Sequence, residues 1–277
     1  MLKYVFVYLI FLLFYTSSYA QDNKFEFDFQ QQIGELDSSD LVKEGMGRYD
    51  GYEIPLYKGE MVQFVLYSEE FNPILILASP DGRKIKQSLG EQYNFARISM
   101  TIPEDGEYIL YVVSDTDKTG QYFLQNAIGP ESAFSLPPGS PFCDRVAYIL
   151  AHARASFQLL GGSEKSSVIL DGTIKSYLDS EDGSYHSILY EGKKQEEAEK
   201  KLSDLDMKIS DCLGDNWKKN AEQWKTEGNY KLRDTIFSGN DSLGNHLLVI
   251  LRLYDLQKVS MDPTRPITLE AIFKIVQ

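Results

Sequence analysis

Three histidines, two cysteines and 41 carboxylates are among the side chains in this 277-residue chain able to move protons, hold metals or attack as nucleophiles. His152, His186 and His246 stand apart from one another, and no His-Glu-x-x-His sequence joins any two of them, which removes the zincin pattern. A zinc site would need all three to converge in space. There is no Gly-x-Ser-x-Gly elbow and no phosphate-cradling glycine loop. Gly239-Asn-Asp-Ser-Leu243 has a superficial likeness to the Gly-Asp-Ser-Leu hydrolases, but its glycine is displaced by one residue and the segment reads as a hairpin turn. Asn240-Asp-Ser242 also matches a glycosylation sequon, relevant only to a eukaryotic host. Glu181/Asp182 and Glu196/Glu197 are adjacent pairs, and neighbours on a helix point apart, so neither is an acid/base pair by spacing. Two acids distant in sequence would still suffice for glycosidase chemistry, though nothing supports it.

Calcium requires several oxygen ligands around one point. Asp115 and Asp117 offer two, Asp37 and Asp40 two more, without an EF-hand loop; the same acids also suit turn capping. Tyr49, Tyr52 and Tyr57 are candidates for an aromatic platform under sugar rings, or else half-buried strand residues. Trp217 and Trp224, seven apart in a polar stretch, would anchor a ligand or cover a sheet edge. Cys143 and Cys212 read as a disulfide if the chain is exported. Two buried thiols, or a thiolate–imidazole nucleophile without a supporting motif, are the competing readings.

Export is what residues 1–20 indicate. Lys3 precedes an apolar run from Tyr4 to Tyr15, and small residues lead to Ala20, the layout of a secretory leader cut before Gln21. The run is short for a membrane span, which takes about 20 apolar residues. No cysteine lies near the cut, so a lipoprotein is not expected, and no membrane insertion is expected after leader removal. Composition is globular, with 43% hydrophobic and 13% aromatic residues. The formal charge of −13 argues against nucleic acid as a partner. It is uneven: residues 21–130 hold 9 basic against 19 acidic side chains, net −10, and residues 131–277 hold 18 against 22, net −4.

Residues 21–130 alternate at strand period. Phe25, Phe27 and Phe29 share a face, as do Tyr52, Ile54 and Leu56, then Val62, Phe64 and Leu66. Pro73-Ile-Leu-Ile-Leu77 suits a strand buried on both sides. Ser79-Pro-Asp-Gly82 and Pro103-Glu-Asp-Gly106 are turns. Ile98, Met100 and Ile102, then Tyr108, Leu110 and Val112, then Gln121 to Ala127 complete an all-β sandwich, jelly-roll-like.

Within it, Asp50-Gly51-Tyr52, Gly59 and Phe64 are followed by Leu66-x-Ser68-x-x-Phe71-Asn72-Pro73-x-Leu75-x-Leu77 and Pro80-Asp81-Gly82. Ile102-Pro103-x-x-Gly106-x-Tyr108 and Thr119-Gly120-x-Tyr122-x-Leu124 come next. In this order and spacing, residues 45–126 resemble the bacterial pre-peptidase C-terminal domain, with Asn72 where that family often has Asp. The resemblance implies an accessory sandwich of the kind attached to secreted peptidases. Some members bind calcium or insoluble substrate, and no catalytic residues carry over.

Ser135-Leu-Pro-Pro-Gly-Ser-Pro141 marks a linker, 131–141. Beyond it, 142–277 reads as a second, α+β domain that resembles no named family. Phe142, Val146, Ile149, Ala153, Phe157 and Leu160 predict one helix, capped by Ser140 with Pro141 first and ended by Gly161-Gly162. Strands follow at 168–178 and 185–190, around a turn at 179–183. A second helix spans 194–213, with Ala198, Leu202, Leu205, Ile209 and Cys212 inward. Strands at 231–237, 246–256 and 267–275 give two helices on one face of an antiparallel sheet. Antiparallel helices would bring Cys143 and Cys212 together. The expectation is a non-catalytic protein, periplasmic or secreted, that binds an envelope or extracellular protein or glycan without a cofactor. A small hydrolase with its site in 142–277, or a calcium-dependent adhesion module, is the alternative.

Overall fold

A computed structural model describes residues 24–43, 47–90, 94–116, 118–160, 169–179, 182–227, 230–241, 244–255 and 266–276. Residues 1–20, read from sequence as an export leader, Asp117, Gly161-Gly162, Glu181 and Ser242 lie outside them.

The N-terminal half is β1 (Asp28–Leu36), β2 (Leu41–Lys43), β3 (Gly47–Leu56), β4 (Met61–Tyr67), β5 (Pro73–Ala78), β6 (Lys84–Leu89), β7 (Phe95–Thr101), β8 (Gly106–Ser114) and β9 (Gly120–Gly129). These form an antiparallel four-stranded sheet, β1-β9-β4-β7, and an antiparallel five-stranded sheet, β2-β3-β8-β5-β6. One core lies between them. Leu66, Ile98 and Leu124 enter it from the first sheet, and Leu75, Leu77, Leu110 and Val112 from the second. From β3 to β8 the alternating residues expected to point inward do so, because a period of two fixes the face once one side is buried. Two edge strands escaped the pattern. β2 is three residues long, and β6 is a mostly polar strand that buries no side chain fully. Lys84 and Lys86 on β6 discourage pairing of that edge with another sheet.

The C-terminal half contains helix α1 (Phe142–Ala151), β10 (Lys175–Leu178), β11 (Tyr185–Gly192), helix α2 (Gln195–Leu213), β12 (Lys218–Ala221), β13 (Lys225–Glu227), β14 (Tyr230–Asn240), β15 (His246–Asp255) and β16 (Ile267–Ile275). The sheet is antiparallel, in the order β10-β11-β16-β15-β14-β12, with β13 also on β14. Leu247, Val249, Leu251 and Leu253 of β15 face Val146 and Ile149 of α1 and Ala198, Leu202, Leu205 and Ile209 of α2 in one core. Glu196 and Glu197 favour the start of α2 through its dipole, and Gly214, at φ +67°, ends it. Cys143 and Cys212 are joined as a disulfide, with Cα atoms 4.9 Å apart.

The first helix departs from its periodicity. It stops at Ala151 and gives way to 3₁₀ turns at His152–Ala155 and Gln158–Leu160. Pro141, not Ser140, is the N-cap, and it makes no side-chain capping bond. Ser156 and Phe157 adopt left-handed φ values of 47° and 58°. Each costs about 1–2 kcal/mol. The break allows two sets of side chains to be buried at once. Ala153, Phe157 and Leu160 enter the main core, while Ala155 and Leu159 meet Phe27 in a separate cluster. Burying Phe157, Leu159 and Leu160 at roughly 2 kcal/mol each outweighs the strain. The strand expected from residue 168 is formed only over Lys175–Leu178, after a turn at Asp171-Gly172.

The two halves meet through residues 24–29. Strand β1 begins at Asp28, so Phe25 and Phe27 do not sit on a strand face with Phe29 as their spacing suggested. Phe25 enters the C-terminal core and packs edge-on to Tyr148, centroids 5.4 Å apart. Phe27 joins Ala127, Ala133, Ala155 and Leu159, with Phe29 and Phe134 against them. Lys24 pairs with Asp144 at 2.9 Å, and Arg154 donates to the Phe27 carbonyl at 2.6 Å.

Candidate functional site

Strand register determines what the outer face of the four-stranded sheet displays. Ile33 lies opposite Phe123, Phe123 opposite Tyr67, and Tyr67 opposite Phe95. One apolar side chain from each strand therefore forms a row across the whole sheet. The next row is Gln31, Gln125, Val65 and Arg97, by the same pairings. Most of the apolar row is open: Ile33 is 66% exposed, Phe123 38% and Tyr67 37%. The Tyr67 and Phe123 rings are 6.4 Å apart and tilted by 39°. The Tyr67 hydroxyl donates to Glu69 at 2.7 Å, which holds the ring. Gln31, Val65, Tyr67, Phe123 and Gln125 line a shallow depression of about 210 Å³. Two rows further along, Phe29 and Ala127 are packed into the contact with the C-terminal half. The alternation of β4 and β9 was legible in sequence, but the cross-strand row was not, because it depends on which strands are neighbours.

The residues singled out from sequence are dispersed. Tyr52 turns toward the sandwich core, where its hydroxyl bonds that of Tyr122, which donates to Asp50 at 2.5 Å. Burial, opposed by that hydrogen bond, raises the Asp50 carboxyl above its usual value. Tyr49 packs edge-on to Tyr111 on the other side of β3, 5.5 Å between centroids. Tyr57 is exposed in the turn after β3. The three tyrosines thus share no platform, since Tyr49 and Tyr52 are three positions apart along one strand and so face opposite sides. Trp217 lies over Gly239, where a Cβ would come within 2.5 Å of its ring, and Trp224 carries Arg233 over its face at 5.3 Å. Both tryptophans are half-buried against the C-terminal core, flanking β12 and β13, so they cover the sheet and do not project from it.

Asp115 accepts from Asn72 at 3.0 Å. Asp37 accepts from the Ser39 amide at 2.6 Å, and Asp40 from the Asp37 amide at 2.6 Å, as turn caps do. Among the described residues, the set with three ligand atoms within 4.8 Å of one another is Asp179, Asp182 and His186. Asp182 is already bonded to Lys274 at 2.6 Å. Burial opposes ionisation of Asp182, but the Lys274 ammonium and the Ser184 donors outweigh it and hold its carboxyl at about 2.

His186 was read as isolated, and here the fold brings it partners from another strand. Ser184 Oγ is 2.6 Å from His186 Nε2, and His186 Nδ1 is 2.8 Å from Glu270 Oε1 on β16. These spacings are those of a nucleophile, base and orienting acid. Ser184 is fully buried, its hydroxyl also reaches Asp182, and the Tyr177 ring stacks on the imidazole at 4.7 Å. The trio fastens the β10–β11 hairpin to β16. His152 is buried between Tyr148 and Phe27, with Nδ1 2.8 Å from the Tyr148 carbonyl and Nε2 unpartnered. Burial, aided by nearby Arg154, lowers its pKa to about 4. His246 lies at the start of β15, exposed. No helix among the described residues is long and apolar enough to cross a membrane.

No protein-family model matches the chain, and no curated protein matches it. About a third of this chain is similar to most of each of several solved structures. The pre-peptidase C-terminal domain of a Bacillus anthracis collagenase shares 16% identity, with a TM-score of 0.28, over 35% of this chain and 87% of that one. A periplasmic inhibitor of g-type lysozyme from Aeromonas hydrophila shares 13%, TM-score 0.28, over 36% and 86%. A chain of the disulfide-linked pili that form Bacillus endospore appendages shares 8%, TM-score 0.22, over 38% and 89%. The first is the kind of domain that residues 45–126 resemble in sequence.

Proposed function

We propose that this is an exported, soluble, non-catalytic binding protein, which holds an envelope or extracellular ligand on the open half of its four-stranded face. Residues 1–20 direct export, residues 21–130 form a sandwich domain wound as a jelly roll, and residues 142–277 form a second domain docked on it. The observation that carries the reading is the row Ile33, Phe123, Tyr67 and Phe95, the first three exposed on a sheet whose other exposed positions are polar. Isolated surface hydrophobics are ordinary, but an aligned row spanning four strands marks a contact surface. The disulfide fits an oxidising compartment. The test immobilises the mature chain, 21–277, and exposes it to cell-envelope extract and insoluble polysaccharide. Retained material should be lost with Tyr67→Ala combined with Phe123→Ala. Equal retention by the two proteins, or none by the wild type, refutes the reading.

One observation favours a second reading, a hydrolase in 142–277: the spacing of Ser184, His186 and Glu270. Labelling of the native chain by a serine-directed phosphonate, abolished by Ser184→Ala, would establish it. Complete burial of Ser184 leads us to expect no labelling.

A further inference from the structure

The footprint and chemistry of the open row narrow the ligand. Adjacent strands lie about 4.8 Å apart, so four side chains across four strands span about 14 Å, and two rows span about 7 Å along the strands. A stable protein partner buries about 800 Å² on each side. Two rows of about 14 by 7 Å fall short of that, which favours a narrow occupant over a second copy or a globular partner. Such a surface suits a narrow chain a few units long. The row supplies the exposed aromatic rings of Phe123 and Tyr67, with the partly buried Phe95 beside them, and aromatic rings pack against the C–H face of a pyranose. The second row supplies the amides of Gln31 and Gln125, each with donors and an acceptor, matching hydroxyls that donate and accept together. Gln125 Nε2 donates to Gln31 Oε1 at 3.5 Å, a long hydrogen bond between exposed side chains. The net charge of −10 on residues 21–130 repels anionic polymers.

Resting on the reading of this face as the binding site, we infer that its ligand is an uncharged linear glycan. The chain lies across the strands, with sugar rings over Phe123 and Tyr67 and hydroxyls on Gln31 and Gln125. The 6.4 Å between the two rings is the step from one sugar contact to the next. The covered end of the same face limits the site on one side, so the glycan runs perpendicular to the strands and not along them.

The test uses the mature chain with cellohexaose, chitohexaose and xylohexaose in titration calorimetry, alongside chemical analysis of whatever the envelope extract leaves on the immobilised protein. At least one neutral hexasaccharide is expected to bind, about tenfold or more weakly after Phe123→Ala or Tyr67→Ala. Phe123→Tyr should retain binding, and Gln125→Ala should alter the ranking of the three sugars. Unchanged thermal melts would show that the variants fold. Retained envelope material should survive exhaustive proteolysis and yield neutral sugars on acid hydrolysis. If retention depends on Tyr67 and Phe123 but the material is destroyed by protease, or consists of acidic polymer, the glycan inference is overturned and the face remains a binding site. If retention does not depend on these residues, or none occurs and no hexasaccharide binds, both fail.

Discussion

The two ends of one sheet face differ in what covers them. At one end Phe27, Phe29 and Ala127 are sealed by Ala133, Ala155 and Leu159. At the other, Ile33, Phe123 and Tyr67 present similar chemistry to solvent. Aromatic content alone therefore does not distinguish a site from a core. The distinction lies in whether the chain itself supplies a lid, and here it supplies one for only half of the face.

The largest test of how far the covered end couples the two halves is loss of the disulfide. Closing a loop of 69 residues stabilises by about 4 kcal/mol in the chain-entropy account. Both tryptophans belong to the C-terminal half, so their fluorescence reports that half, and far-ultraviolet dichroism reports both. Cys143→Ser with Cys212→Ser should lower the fluorescence midpoint in urea by that amount, with the sandwich strands melting later. Coincident transitions would mean that the junction binds the halves into one cooperative unit.

Phe27→Ala empties the centre of the covered end and should cost about 3 to 4 kcal/mol in urea unfolding. A cost below 1 kcal/mol would make the covered end as dispensable as the open one.

His152 adds a pH dependence to the same contact. Its folded pKa of about 4 lies below the unfolded value near 6.5. The unfolded chain thus takes up the proton first. The stability contributed is complete above pH 6.5 and is lost as pH falls toward 4, by about 3 kcal/mol in all. His152→Gln should be less stable at pH 7 but flatter between pH 6.5 and 4. A parallel slope in wild type and variant would place the titration elsewhere.

The smallest effect belongs to the open end. Phe123→Ala and Tyr67→Ala should each change stability by less than about 0.5 kcal/mol while weakening ligand retention about tenfold, with the two combined abolishing it. A loss of several kcal/mol would show the row to be structural.

Period-two alternation in β3, β4 and β8, period-3.6 spacing in α2 and the turn residues at Gly82 and Gly214 were readable from sequence, because local geometry dictates those patterns. The disulfide followed once both helix ends were placed. The break in α1 was not readable, since Ala-His-Ala-Arg-Ala favours helix and only burial of Ala155 and Leu159 against Phe27 ends it. Tyr49, Tyr52 and Tyr57 looked like a group because they are close in sequence, yet strand alternation separates them. Ile33, Tyr67, Phe95 and Phe123 are far apart in sequence, and register alone aligns them. His186 meets Glu270 across 84 residues by the same means. The sequence by itself determined the long strands and the second helix and which of their faces is apolar. Tertiary structure decided which apolar face is covered and which polar groups meet, because strand neighbours and register arise from packing among distant segments, not from any local preference of the chain.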